Sequence, residues 1–113
     1  MPINNLTRGT SLANSVEIAK TPLKRMQGLL GRDTINLKES LVITQCNSIH
    51  MLFMKFAIDV VFLDKENKVA GVVAGIKPFE FSPIFWKSTC AIELPAGTIK
   101  ESKTQVGDQT EIK

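Results

Sequence analysis

Short apolar stretches separated by polar turns run along most of the chain, and this pattern predicts a protein built mainly from β-strands. The stretches either are rich in valine and isoleucine or alternate apolar with polar residues, as half-buried strands do. A turn cluster at 64–68 joins two of them as a hairpin. The predicted strands lie at 15–19, 41–44, 57–63, 69–76, 90–94 and 109–112.

The segment that begins at Thr21 has a helical period instead. Thr21 is a good N-cap residue, Pro22 fits the first helical position, and Gly31 is typical of a C-terminal cap. We therefore expect an amphipathic helix at about 21–30. Its apolar residues share one face: Leu23, Met26, Leu29 and Leu30.

These elements predict a mainly β fold of the β-rich α+β class. Because strands outnumber helices and do not alternate with them, a parallel βαβ architecture is disfavoured. We expect a small antiparallel barrel or sandwich of about six or seven strands, with the helix at 21–30 covering it. A further short turn or helix is expected between Pro95 and about Ser102. Residues 1–14 are polar and aperiodic, which predicts an irregular or mobile N-terminal arm ahead of a single β-rich domain at 15–113.

Composition and charge narrow the classes of function. The 113 residues are 43% hydrophobic, enough for one core without a disulfide or a metal. The net charge of +3 is spread along the chain, so we expect no binding to nucleic acid and no attachment to a membrane. The first residues lack the pattern of a secretory signal, which predicts a cytoplasmic protein with reduced cysteines at 46 and 90.

The segment 46–64 carries most of the candidate chemistry. Cys46, His50 and Met54 are four residues apart, which puts their side chains on one face of a helix or a strand. A blue-copper site needs two histidines and structural zinc needs four ligands, whereas this chain has one histidine and two cysteines. We therefore expect no metal and no other cofactor. Cys46 and His50 are nevertheless candidates for a catalytic thiolate–imidazole pair.

A second group of polar residues is spread over several predicted elements, and two of its members are acids between apolar neighbours on strands. One interpretation is a structural latch, in which an arginine of the helix pairs with an acid. The other is a pocket in which an arginine binds the carboxylate or phosphate of a small anionic ligand. The group consists of Arg25, Arg32, His50, Asp59 and Glu93.

Four segments of the chain occur in an order that is known from other proteins: TPLKRMQGLLGR, CNSIHMLFMKFAIDVVFLDKENKV, AIELPAGT and VGD. In this order they resemble the prokaryotic family known as domain of unknown function 192, over about residues 15–112. Many members have a tryptophan–methionine pair in the central motif, where this chain has Phe53 and Met54. The resemblance implies a small β-rich fold with a helix, and it brings no established activity.

Three hypotheses of function follow. The first is a small binding or accessory domain in which Arg25, Arg32, His50, Asp59 and Glu93 line a polar pocket for a small anionic ligand. The second is a hydrolase or transferase that uses Cys46 and His50. The third is a protein-interaction module that uses the surface of Phe85 and Trp86, since exposed aromatic side chains rimmed by charge mark partner surfaces.

Overall fold

The computed structural model describes residues 2–21, 29, 32–51 and 54–113. Within these residues the chain forms eight β-strands and one short α-helix, so the prediction of a mainly β fold is confirmed. The elements are β1 (Ile3–Asn5), β2 (Thr10–Ala13), β3 (Ser15–Ala19), β4 (Glu39–Thr44), β5 (Ile58–Leu63), β6 (Val69–Ile76), β7 (Cys90–Pro95), α1 (Thr98–Ser102) and β8 (Thr110–Ile112).

The strands form two sheets, one of five strands in the order β3-β4-β7-β5-β6 and one of three in the order β2-β1-β8. Neighbouring strands are antiparallel, as predicted, except for β3 and β4. These two run parallel, so the chain returns between them to the end of the sheet where β3 begins. The hairpin of β5 and β6 closes through the turn cluster that the sequence predicts.

Strand β5 lies at the centre of the core, and all six of its residues are buried. Ile58, Val60 and Phe62 belong to one apolar cluster, and Val61 and Leu63 belong to another. Because side chains alternate along a strand, these clusters (the first and the second cluster below) lie on opposite faces of the five-stranded sheet. Burial on both faces explains why this part of the sequence is an almost continuous apolar run.

The N-terminal segment differs from the predicted irregular or mobile arm at 1–14. Its described residues include β1 and β2, and Ile3 and Leu12 are fully buried in the second cluster. The fully buried Asn5 donates to the Thr104 hydroxyl at 3.1 Å and to the Asp108 carboxylate at 3.0 Å. Since β1 also pairs with β8, the described part of the segment belongs to the body of the domain.

The predicted helix at about 21–30 lies outside the described residues, apart from Thr21 and Leu29. Leu29 is buried in the first cluster. The turn or helix expected after Pro95 is confirmed as α1, which packs Ile99 into the second cluster. Among the described residues, no helix is long and apolar enough to cross a membrane.

Gly71 of β6 lies against the ring of Phe85 so closely that a β-carbon there would collide with the ring. The same ring packs against Phe62, with 4.6 Å between ring centroids. Gly71→Ala should therefore lower the free energy of unfolding by about 1–3 kcal/mol, because the ring must move away from Phe62. Urea unfolding measures this loss. The loss should be smaller in a Phe85→Leu background, and an equal loss in both backgrounds would contradict the explanation.

Candidate functional site

Asp59 is the most fully hydrogen-bonded of the predicted site residues. Its side chain is 1% exposed and lies on the face of the second cluster. One carboxylate oxygen accepts the N–H of Gly75 at 2.8 Å. The other accepts the N–H groups of Gly97 at 3.1 Å and Ile99 at 2.8 Å. Three backbone donors thus hold the carboxylate, and it joins β5 to β6 and to the beginning of α1.

Glu93 has the opposite environment. It is 5% exposed, and its backbone neighbours across the sheet are Leu41 of β4 and Val60 of β5, both in the first cluster. Within the described part of the chain, its Oε1 atom is buried and has no hydrogen-bond partner. Burial raises the pKa of this carboxyl to about 7, because the charged form loses its hydration.

The sheet register separates these two acids. Asp59 is paired with Leu94, and the next residue, Val60, is paired with Glu93. Residues that are directly opposite in an antiparallel pair lie on the same face, and successive residues alternate between faces. Asp59 and Glu93 therefore lie on opposite faces of the sheet and do not line one pocket, a question that the sequence left open.

Arg32 and His50, the remaining polar candidates among the described residues, do not complete a site around either acid. Arg32 forms a two-pronged ion pair with Glu39, with both N–O distances at 3.0 Å. This hydrogen bonding holds the pKa of Glu39 below its usual range, helped by the N–H of Asn36. His50 is exposed, and its backbone forms an isolated bridge with Phe81. Arg25 lies outside the described residues, so its role in ligand binding stays a prediction.

Neither cysteine has the environment of an activated nucleophile. Both thiols are free, and Cys46 donates to the carbonyl of Ser48 at 3.1 Å. Burial raises the pKa of Cys46, and burial raises the pKa of Cys90 to about 11. A nucleophilic cysteine needs the reverse shift, a lowered pKa, because the thiolate is the reactive form.

Met54 is a buried member of the first cluster, and Cys46 packs against the same cluster. In the described ranges, no three histidine, cysteine or acidic side chains come together as metal ligands.

The adjacent residues Phe85 and Trp86 have different surroundings. Phe85 is half-buried and packs on Phe62, whereas Trp86 is 81% exposed. Next to Trp86 lies a groove of about 510 Å³, whose apolar wall also contains Ile84 and Val106. These two side chains are 50% and 63% exposed. We call this feature the Trp86 groove; its charged rim is formed by Asp64, Lys68 and Lys87.

The sequence predicted that Phe85 and Trp86 form a partner surface, and it did not predict the other residues that line this groove. Phe85 and Trp86 stand out as aromatic residues in a proline-containing loop. Val106 and Lys68 come from turns far away in the sequence, which are brought together by the backbone bond from Gly107 N–H to the Val69 carbonyl at 2.8 Å. No local pattern marks such a meeting of turns.

The fold and these positions define a small two-sheet β domain, and comparison with known proteins finds relatives that match nearly the whole chain. A solved structure from Novosphingobium aromaticivorans, of a protein of unknown function, has a TM-score of 0.86 at 19% identity, over 98% of this chain and 84% of that chain. A UPF0127 protein of Thermococcus sibiricus is 33% identical over 109 residues, which are 93% of this chain and 70% of the relative. A UPF0127 protein of Pyrococcus furiosus is 32% identical over 110 residues, 95% of this chain and 94% of the relative.

The family model of domain of unknown function 192, described as "Uncharacterized ACR", matches residues 4–112. The chain belongs to this family, and the resemblance seen in its motifs is confirmed. Neither the family nor these relatives carry a described activity, so function has to be argued from the residues themselves.

Replacing the carboxylate of Asp59 tests its role as the link between β5, β6 and α1. Asp59→Asn keeps the volume but turns one acceptor oxygen into a donor that faces backbone N–H groups. We expect a loss of roughly 2–4 kcal/mol in the free energy of unfolding, measured with urea. The matched control is Asp33→Asn at an exposed site, which should change stability by less than about 0.5 kcal/mol. A loss as small as that at Asp59 would contradict the structural role.

The pH dependence of stability tests the burial of Glu93. The pKa is about 7 in the folded protein and 4.5 as its ordinary value. Below the lower value the carboxyl is neutral in both states. Between the two values the unfolded chain ionises and the folded protein does not, so stability falls as pH rises, and the loss is complete above about pH 7.

Glu93→Gln should remove this loss, which amounts to roughly 3 kcal/mol between pH 4 and pH 8. Urea unfolding at a series of pH values measures it, with the exposed Glu66→Gln as the control. If the free energy of unfolding changed with pH in the same way in the wild-type protein and in Glu93→Gln, Glu93 would be solvated in the folded state.

Proposed function

We propose that this protein is a protein-interaction module that binds an extended, partly acidic segment of another polypeptide in the Trp86 groove. The observation that carries the proposal is the 81% exposure of Trp86 beside two further exposed apolar side chains. Tryptophan is enriched among the residues that dominate binding energy at interfaces. A contiguous apolar surface rimmed by charge is typical of a partner site.

The loop that carries Trp86 is held in place by its neighbours. The Phe85 N–H donates to the Asn47 carbonyl at 2.8 Å, and the Ser88 hydroxyl lies within hydrogen-bond distance of the Cys46 and Cys90 carbonyls, at 2.9 and 3.0 Å. The Phe85 ring, packed on Phe62, anchors the loop to the core. An indole on such a fixed loop loses little further freedom on binding, which favours affinity.

The charges of the rim favour an acidic partner. Lys68 and Lys87 line the groove, and in the described part of the chain neither forms an ion pair. The acid of the rim, Asp64, already accepts the N–H groups of Glu66 and Lys68 at 2.9 and 3.0 Å. Complementary charge on the partner would steer its approach and fix its orientation.

An extended shape of the partner is supported by the position of β6. This strand is the outermost of the five-stranded sheet, and its first residues, Val69 and Ala70, line the groove. The N–H and the carbonyl of Val69 are already bonded to the Asp108 carbonyl at 2.9 Å and the Gly107 N–H at 2.8 Å. Beyond Val69, no strand of the described chain pairs with the outer side of β6, and residues 70–76 contain neither a charge nor a proline. Uncharged edge strands accept an added strand through backbone hydrogen bonds, while side-chain pockets give specificity.

The two other hypotheses receive less support from the described geometry. The described polar residues that were predicted to bind a small anion are divided between the two faces of the sheet and the surface, so they do not surround one ligand. A cysteine-dependent hydrolase would need a lowered thiol pKa, and burial raises that of Cys46.

The experiment uses the fact that Trp86 is the single tryptophan of the chain. Peptides selected from a displayed random library should contain apolar residues flanked by aspartate or glutamate, and their binding should shift the Trp86 emission. Truncation of an aromatic hot-spot residue is worth about 2 kcal/mol or more. Trp86→Ala, followed by calorimetry, should therefore weaken binding at least about tenfold, and Lys87→Glu should weaken it for acidic peptides in particular.

The matched control is Phe81→Ala, since Phe81 is 67% exposed but does not line the groove. Selected peptides that bind Trp86→Ala as tightly as the wild-type protein would overturn the proposal. A Trp86-dependent dimer in sedimentation equilibrium would assign the groove to a second copy of the chain instead.

A further inference from the structure

We propose that a second pocket, distant in sequence from the Trp86 groove, binds a small zwitterion of the amino-acid class with an apolar side chain. The pocket measures about 310 Å³ and lies between β2, the turn that precedes β4, and α1. We call it the Ser11 pocket. The residues that carry the argument are Thr10, Ser11, Leu37, Lys38, Glu101 and Ser102, all of which line it.

One wall of the Ser11 pocket is a turn that the structure braces from both sides. Glu39 accepts the Arg32 guanidinium in two hydrogen bonds of 3.0 Å and the Asn36 N–H at 2.9 Å. The Lys38 carbonyl accepts the N–H of Asn14 at 2.8 Å. Lys38 has a φ of 64°, a left-handed conformation that is costly for a lysine and persists because its surroundings hold it. The wall is therefore formed before any ligand arrives.

The hydroxyl groups at the floor of the pocket have hydrogen-bond partners within the protein, with one exception. Thr10 Oγ1 donates to the Ser102 carbonyl at 2.7 Å, and the hydroxyls of Ser102 and Thr104 are 2.7 Å apart. The hydroxyl of Ser11 is buried and has no hydrogen-bond partner within the described residues. Buried hydroxyls are nearly always paired, so a small rotation of the Ser11 side chain toward the pocket would let a ligand atom supply the missing partner.

The charges around the pocket define the class of ligand. Lys38 and Glu101 line it with opposite signs, and among the described residues they form no ion pair with each other or with a third group. The Lys38 ammonium lies 3.4 Å from the Ser11 carbonyl, so it is directed toward the same hydroxyl-bearing residue. A ligand with a carboxylate and an ammonium group would pair with both side chains.

Leu37 and the volume of the pocket indicate the side chain and the size of the ligand. Leu37 is 85% exposed at the mouth of the pocket, where an apolar side chain of the ligand would cover it. The volume of 310 Å³ lies at the lower limit of ligand pockets, which suits a free amino acid better than a nucleotide. The two conditions together point to an α-amino acid with an aliphatic side chain.

The test uses L-leucine as the probe and amide NMR shifts of the full chain as the readout. We expect saturable shifts of the Ser11, Lys38 and Glu101 amides. Ser11→Ala should weaken binding roughly fivefold, which corresponds to one hydrogen bond, and should not lower the unfolding temperature because it removes an unsatisfied hydroxyl. Glu101→Gln should weaken binding, whereas Glu66→Gln, an exposed acid outside the pocket, should not.

Two analogues of L-leucine test separately the contributions of its ammonium group and its carboxylate to binding. N-acetyl-L-leucine lacks the ammonium group and L-leucinamide lacks the carboxylate, so each should bind at least about fivefold more weakly than L-leucine. Equal binding of all three would overturn the zwitterion class. The absence of saturable shifts up to the solubility of L-leucine, or shifts that persist unchanged in both Ser11→Ala and Glu101→Gln, would overturn the site.

Discussion

The three hydrogen bonds of the Asp59 carboxylate are the interaction on which the arrangement of the elements depends. They connect the fully buried strand β5 to the end of β6 through Gly75 and to the beginning of α1 through Gly97 and Ile99. A charged group buried to this degree is stable only if it is well hydrogen-bonded, and backbone N–H groups supply that here. Position 59 also faces a bulge in the pairing of β5 with β6, so the carboxylate accepts a donor that the regular ladder leaves open.

The five-stranded sheet is buried on both faces around β5. Two residues that are one position out of register therefore face different apolar clusters. Asp59 faces the second cluster with three donors, and Glu93, one position out of phase across the sheet, faces the first cluster without a partner for Oε1 in the described chain. The two carboxyl groups are equally buried and chemically similar. Their different surroundings follow from the register alone.

The sequence predicted the strands well and left open whether the candidate polar residues meet, and both results have physical causes. Strands at 57–63 and 69–76 depend on short apolar runs rich in valine and isoleucine and on one turn, which a single sequence contains. Whether two acids meet depends on the pairing of β5 with β7, two strands separated by β6 and a long loop. The strand at Ile3–Asn5 was missed because the polar Asn5 is buried among Thr104 and Asp108, about a hundred residues away. A buried polar side chain with distant partners has no periodic signature.

The exposure of Trp86 follows from the same constraint that buries Phe85. The loop at 84–88 turns back toward β7, and the Phe85 ring fills the space above Gly71 that a larger residue in β6 would occupy. With Phe85 directed to Phe62, and with Ser88 bonded to the backbone on the other side, the intervening Trp86 has no core position left to it. A polar residue at position 86 would be hydrated and would expose no apolar area, so it would fit this position as well. The fold thus does not require a tryptophan at this position, which agrees with its proposed role in binding a partner.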